Sequence, residues 1–164
     1  MGSLLIKYKQ PKEIKNHVDP NFTFLTYGDS DSTKIQTIKR SISAGSHVFF
    51  HTSYKDQAFI TAYYYVERVL TKVENANELD CLRTDSRHDE IVILGSRERS
   101  KILTFPLPFD KRVVDNLPSL NIDWSHVTSG RQSELKTISD PTRAHRELSA
   151  AEVDWLLGEC KYRG

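Results

Sequence analysis

The stretch Ala44–Val69, AGSHVFFHTSYKDQAFITAYYYVERV, constrains the fold more than any other part of the chain. His47–Thr52 and Phe59–Val69 are dense in β-branched and aromatic residues, the types that fit a pleated, half-buried surface. Only Ser53–Ala58 separates them. That is too short for a helical crossover, so the pair reads as an antiparallel hairpin with an open loop. On the second strand Phe59, Thr61, Tyr63, Tyr65 and Glu67 share one face, and Ile60, Ala62, Tyr64, Val66 and Arg68 share the other. Apolar bulk on both faces predicts a central strand covered on each side. Three consecutive tyrosines predict at least one hydroxyl placed at water, a buried partner or a ligand.

The elements around this hairpin follow from local signals. Phe22–Tyr27 alternates well enough for a first strand, and Gly28–Ser32 reads as a turn and cap. A helix capped by Ser32 follows, with Ile35, Ile38 and Ile42 as its buried stripe, and Gly45 supplies a left-handed residue after it. Glu74–Glu90 is an acidic loop holding a short helix. Ile91–Leu94 and Lys101–Phe105 read as strands, and Pro106 and Pro108 exclude a continuous central ladder beyond them. A short helix over Lys111–Leu117 ends against Pro118. Asn121–Glu134 has no period and reads as a binding loop, with Asp140–Arg146 as a second. The last helix opens on a capping box, Ser149 with Glu152, flanked by the staple pair Leu148 and Val153. Its apolar stripe is Val153, Leu156, Leu157 and Cys160.

A chain of 164 residues suits one domain with one core, residues 1–164. Residues 1–20 form a flexible or edge arm in this reading. Lys7, Lys9, Lys12 and Lys15, opposed only by Glu13, are its candidates for phosphate contact. Met1-Gly2-Ser3 reads as an expression scar.

Composition removes several function classes. The formal net charge is +1, so nucleic-acid binding would have to come from a local basic face. No apolar run is long enough to span a bilayer. Cys81 and Cys160 lie too far apart to form a disulfide framework or a zinc ligand set, which suggests a reduced, cytoplasmic setting. P-loop, dinucleotide-fingerprint, HExxH and CxxC patterns are absent. His47 and His51 would sit about 13 Å apart on a strand, too far to share a metal. Asp85, Asp89 and Glu90 lack the nearby lysine of a magnesium nuclease. No cofactor and no metal are expected.

What remains is a pairing of aromatics with basic loops. Tyr27, Tyr54, Tyr63, Tyr64, Tyr65 and Trp124 are stacking surfaces. Arg97, Arg99, Lys101, Arg131, Arg143 and Arg146 are phosphate contacts. Asp29, Ser125 and Gln132 are directional hydrogen-bonding groups. Stacking combined with edge hydrogen bonds is how an unstacked base is read.

The order strand, polar turn, helix, Ala44-Gly45-Ser46-His47-Val48-Phe49-Phe50, then Ile60–Val66 resembles the PUA-like superfamily, which includes the EVE, YTH and ASCH groups. Arg99–Leu103, Pro106-Leu107-Pro108 and Gln132–Leu135 are similar to nucleotide-modification-associated domains of that superfamily. The resemblance implies an α+β fold: a small, closed or nearly closed barrel of mostly antiparallel strands flanked by helices. It also implies a pocket for a modified base. Carried over by position, that pocket falls on Tyr27, Gly28, Asp29 and Ser30, and on Thr52, Ser53 and Tyr54 after the second strand. Trp124, Ser125, Arg131 and Gln132 would add a wall. The chain departs from the YTH pattern in having no tryptophan near its first strand.

The expected function is therefore a noncatalytic module that reads a modified base, flipped or single-stranded, in DNA or RNA. An effector nuclease or methylation-system protein is its expected partner, with no membrane involved. The alternatives are an ASCH-like hydrolase of a modified nucleoside, with Lys101, Glu134, Thr104 and Thr26 as candidates, or a protein-interaction module.

Overall fold

The computed structural model describes residues 1–9 and 18–164. The expected hairpin organises it. β3 (His47–Tyr54) and β4 (Gln57–Thr71) pair antiparallel from His47↔Tyr65 to Tyr54↔Gln57. The connection is tighter than the open loop expected, because Lys55 adopts φ 54 and both strands run on to the turn. From Ala58 to Val66 buried and half-buried residues alternate along β4, so the strand is fully covered on one side and partly covered on the other.

A bulge at Thr61 divides this strand between two cores. Ala58 and Ile60 pack in one, with Phe49, Leu107, Phe109 and the last helix. Ala62, Tyr64 and Val66 enter the other, with Leu4, Ile6, Phe50, Tyr27 and Ile38. Tyr64 is fully buried, and its hydroxyl donates to the carbonyls of Asn21 and Thr26.

β5 (Ile91–Gly95) and β6 (Lys101–Pro108) both pair antiparallel with β4, one after the other along it. The β6 ladder breaks between Ile102 and Leu107, which leaves Pro106 outside it. β2 spans only Thr26–Asp29, paired with β5. The expected strand over Phe22–Tyr27 fails because Leu25 turns to φ 56, while Asn21 Oδ1 accepts from the N–H groups of Thr23 and Phe24. α1 (Ser32–Ser41) is capped by Asp31, one residue earlier than expected, and buries Ile38 fully with Ile35 and Ile42 beside it.

β1 (Ser3–Lys7) corrects the expected N-terminal arm. It lies inside the sheet, parallel to β3 on one side and antiparallel to β7 (Arg146–Leu148) on the other. Leu4, Leu5 and Ile6 are completely buried, so these residues are neither an arm nor an edge. The presumed scar is integrated as well: Gly2 N–H donates to Ser41 O, and Ser3 Oγ accepts from His47 N–H. Lys12, Glu13 and Lys15 lie outside the described residues.

The sheet has the strand order β2-β5-β4-β3-β1-β7, with β6 on β4. It is mostly antiparallel and it is open, not the closed barrel implied. Its two ends meet through side chains: His145, just before β7, lies against Tyr27 of β2 with Nε2 3.2 Å from the phenol oxygen.

Away from the sheet ladder, α2 (Ala76–Asp80) occupies the acidic segment, and α3 (Lys111–Val114) follows β6. The expected aperiodic loop Asn121–Glu134 contains α4 (Ser125–Thr128), and α5 (Glu134–Ser139) follows it. α6 (Ala150–Cys160) has both halves of the capping box, and Leu148 and Val153 pack in the same core.

Candidate functional site

The ends of β1 and β2 meet residues from four other parts of the chain around a cavity of about 690 Å3. β1 and the residues after it bring Lys7, Tyr8 and Lys9. β2 and the turn after it bring Tyr27, Gly28, Asp29 and Ser30. Asp19, Lys34 of α1, Asp89 and Arg143 complete the lining. Tyr27 is nearly inaccessible and forms the floor, with its ring tilted against Phe50 and His145. Tyr8 is half-buried; its ring meets Phe22 and Phe50 edge-on and its hydroxyl bonds Thr61 Oγ1 at 2.8 Å.

Gly28 is held between two carboxyl groups. Its N–H donates to Asp19 Oδ1 and Oδ2 at 3.2 and 3.0 Å. On its other side Asp89 sits so close that a Cβ on residue 28 would lie 2.2 Å from Asp89 Oδ2. Only glycine allows that approach. Asp89 Oδ1 in turn accepts from Ser30 Oγ at 2.9 Å.

The carboxyls are driven apart in acidity. Burial, together with the charges of Asp89 and Asp29, pushes Asp19 up to about 8, against the opposing bonds from Gly28 and Ser86. For Asp29 burial also acts upward. It is outweighed by bonds from His145, Tyr27 and the Asp31 N–H, which with the Lys34 charge hold Asp29 down at about 2. Tyr27 donates to Asp29 Oδ2 at 2.7 Å, so its proton is committed there. His145 then meets the phenol oxygen as a donor from Nε2, which leaves its buried Nδ1 unbonded. Near neutral pH the cavity therefore holds one protonated carboxyl and one firmly ionised carboxylate. Lys7, Lys9, Lys34 and Arg143 surround them, and Arg143 also pairs with Asp140 at 3.2 Å.

Of the residues singled out from sequence, Tyr27, Gly28, Asp29, Ser30 and Arg143 come together here. The others lie elsewhere. Thr52 is buried, Ser53 half-buried and Tyr54 exposed at the β3–β4 turn, outside this lining. Trp124 is half-buried against the α3–α6 core, with Lys111 Nζ 5.4 Å from its ring centroid, and it does not line this cavity. Both ends of the Gln132 amide are engaged, with Asp140 and Thr137. Ser125 and Arg131 are exposed around α4.

Arg146 donates to the carbonyls of Pro141, Ser119 and Leu120, a structural clamp. Lys101 Nζ donates to the carbonyls of Cys160 and Lys161 at the end of α6. Arg99 lies over the Tyr65 ring at 4.7 Å, and Arg97 lines a separate cavity near Phe24. The hydrolase candidates do not converge: Glu134 accepts from Lys111 N–H, and Thr26 is buried against Thr84. Among the described residues no group of three or more His, Cys, Asp or Glu side chains could hold a metal ion. No helix there is long and apolar enough to cross a membrane.

Sequence reasoning missed Tyr8, Asp19, Lys34, Asp89 and His145 as partners in this cavity. The Asp19-Pro20 pair and the acidic run that holds Asp89 were visible, but only the fold brings them to Gly28.

No family model matches the chain, and no curated protein matches it. Among solved structures, the human THYN1 protein in complex with 5-methylcytosine-containing DNA is similar over all of both chains, at 11% identity and a TM-score of 0.52. A hypothetical protein from Leishmania major is similar over 98% of this chain and 95% of its own, at 13% identity and a TM-score of 0.49. The N-terminal domain of Thermococcus gammatolerans McrB bound to m5C DNA is similar over 98% of both chains, at 8% identity and a TM-score of 0.46. The open, mostly antiparallel sheet and the similarity along the whole chain show that this protein shares the fold of THYN1.

Proposed function

We propose that this chain is a nucleic-acid-binding module that takes an unstacked, modified base into the cavity between β1, β2 and α1. The observation that carries the reading is the grouping of three carboxyls, two tyrosines and four cations around one cavity. A base held there meets Tyr8 as its wall and Tyr27 as its floor. Asp19, Asp29 and Asp89 face its edge. Lys7, Lys9, Lys34 and Arg143 meet the flanking phosphates, the sequence-independent part of affinity.

Carboxyl oxygens accept hydrogen bonds, so a base with an exocyclic amino group fits this lining, as cytosine N4 does. A protonated Asp19 adds one donor for a ring nitrogen beside that amino group. Thymine and uracil present a carbonyl at the same place and would face the Asp29 carboxylate unfavourably. The 5-methylcytosine DNA bound by THYN1, which shares the fold, agrees with an amino-bearing pyrimidine. RNA is within the reading as well as DNA. An effector, such as a nuclease or a methylation-system protein, would act on what this module holds, in a cytoplasmic setting.

Matched oligonucleotides test this. One sequence is made with 5-methylcytosine, cytosine or thymine at its centre, and binding is followed by fluorescence anisotropy at two salt concentrations. The 5-methylcytosine strand should bind more tightly than the thymine strand by about tenfold or more, since a good edge contact discriminates by roughly 1–3 kcal/mol. Asp29→Asn should reduce that preference. Equal affinity for 5-methylcytosine and thymine would refute the reading.

A further inference from the structure

The geometry points to a second nucleotide subsite at the other end of β2, built on Phe24 with Arg83 and Arg97. It rests on the nucleic-acid reading above and extends it from one base to a strand.

A separate cavity of about 630 Å3 opens beside the turn that precedes β2. Phe24 stands at its edge, 41% exposed, although the residues on both sides of the turn are anchored. Phe22 packs edge-on against Tyr8, Phe50 and Tyr64. The neck of the turn is clamped by Tyr64, whose hydroxyl donates to both Asn21 and Thr26 carbonyls, and by the Asn21–Thr26 backbone pair. Leu25 is held at φ 56, a left-handed conformation that a leucine rarely takes, and its carbonyl accepts from Gly95 N–H at 2.8 Å. A strained, braced turn that buries Leu25 and half-buries Phe22 yet projects Phe24 outward is a rigid mount for an aromatic ring. Backbone strain of this kind persists only where the surroundings over-determine it, and it is common at ligand clamps.

The lining suits a nucleotide. Leu82 and Leu94 give an apolar floor beside Phe24, which can stack any base. Arg83 and Arg97 are exposed and form no ion pair among the described residues, so both guanidinium groups can meet phosphate. Glu67 and Glu98 also face the opening and make it net neutral, which favours a base with phosphates at its rim over a bare polyphosphate.

The two cavities share one strand: Thr26 lines this one, and Asp29 the first. Three strand steps separate them, about 10 Å. A single nucleic-acid strand covers that in about three stacked nucleotides, and in fewer when unstacked. With the modified base in the first cavity, a neighbour on the same strand reaches Phe24.

The test uses a fluorescein-labelled twelve-nucleotide single strand carrying one central 5-methylcytosine. A companion series has an abasic residue at each of the three positions on either side. The full chain should lose roughly tenfold in affinity when one particular neighbour loses its base. Phe24→Ala should bind the intact strand roughly tenfold more weakly, and that abasic change should then have no further effect. The Arg83→Ala/Arg97→Ala double variant should flatten the slope of log affinity against log salt by about 1.4, two single-strand phosphate contacts. Melting temperatures and the preference for 5-methylcytosine over thymine should stay as in the unmodified chain.

Wild-type affinity in Phe24→Ala overturns the subsite, as does an abasic effect that simply adds to that of the variant. A loss of 5-methylcytosine preference in Phe24→Ala would place its effect in the first cavity and also overturn the proposal. A wild-type chain that binds none of these strands removes the reading of the first cavity and this subsite together, an outcome distinct from the other three.

Discussion

Asp19→Asn should change the pH dependence of stability in one direction and in one pH window. Asn keeps the shape of the side chain and an oxygen to accept from Gly28, but it cannot ionise. In the unfolded chain Asp19 loses its proton near 3.8, whereas in the fold burial and the neighbouring carboxylates hold it until about 8. Between those values the native state carries one proton more than the unfolded state, so stability falls as pH rises, by about 1.4 kcal/mol per unit. His51 works the other way. Burial lowers its imidazole from 6.5 to about 3, so between these values the unfolded state holds the extra proton and stability rises with pH. From about pH 4 to 6.5 the two slopes oppose one another. From 6.5 to 8 Asp19 acts without that opposition, and the wild-type chain should lose about 2 kcal/mol. Asp19→Asn should keep the rise below pH 6.5 and stay level above it. Urea unfolding followed by far-ultraviolet circular dichroism at pH 5.5, 6.5, 7.5 and 8.5 resolves the difference. Parallel curves for the two proteins above pH 6.5 would mean that Asp19 is solvated and that burial beside Gly28 does not hold its proton.

Ile38→Ala should cost about 2–5 kcal/mol, because Ile38 is fully buried under the sheet, while exposed Lys39→Ala should stay within about 0.5 kcal/mol in the same urea assay. Gly28→Ala drives a methyl group into Asp89. It should cost about 1–3 kcal/mol and weaken 5-methylcytosine strand binding even below the melting point, seen by anisotropy at low temperature. Trp124→Ala should lower the melting temperature and leave oligonucleotide affinity unchanged, since the ring packs on the α3–α6 core. Ser149→Ala removes one half of the α6 capping box and should cost about 1 kcal/mol by thermal denaturation.

The parts of the fold legible in sequence are those whose signal is local. β4 declares itself by alternation, α1 by three isoleucines at helical spacing, and α6 by a capping box. β1 hid in plain view. Leu4-Leu5-Ile6 is a short continuous apolar run, the mark of a strand buried on both faces, but lysines around it suggested a solvated arm. Its partners, β3 and β7, lie more than forty and about one hundred and forty residues away, as Leu4↔Val48 and Leu4↔Glu147 show. No local pattern reports such pairing. β2 was displaced because alternation across Phe22–Tyr27 looked like a strand. A left-handed Leu25 breaks it, a conformation that side-chain identity does not announce.

The same distinction applies to the lining of the cavity. Tyr27 to Ser30 are contiguous, so a local reading could single them out together. What makes those residues chemically distinct comes from afar. Asp19 binds the Gly28 N–H from nine residues upstream, Asp89 packs on Gly28 from the far side of the hairpin, and His145 fixes Tyr27 and Asp29 from just before β7. Asp19 is raised chiefly by its burial, with two carboxylates adding to it, and Asp29 is lowered against its own burial by the imidazole and the phenol bonded to it. Sequence composition counts acids and bases but cannot distribute them. Trp124 shows the converse: it had the right residue type in a polar, aperiodic stretch, but the stretch holds a short helix and rests the half-buried indole against the other core, away from the cavity. In this chain the residues that hold the cavity in shape are drawn from the whole length of the sequence, and the open sheet is what lets its two ends, β2 and β7, share one set of side chains.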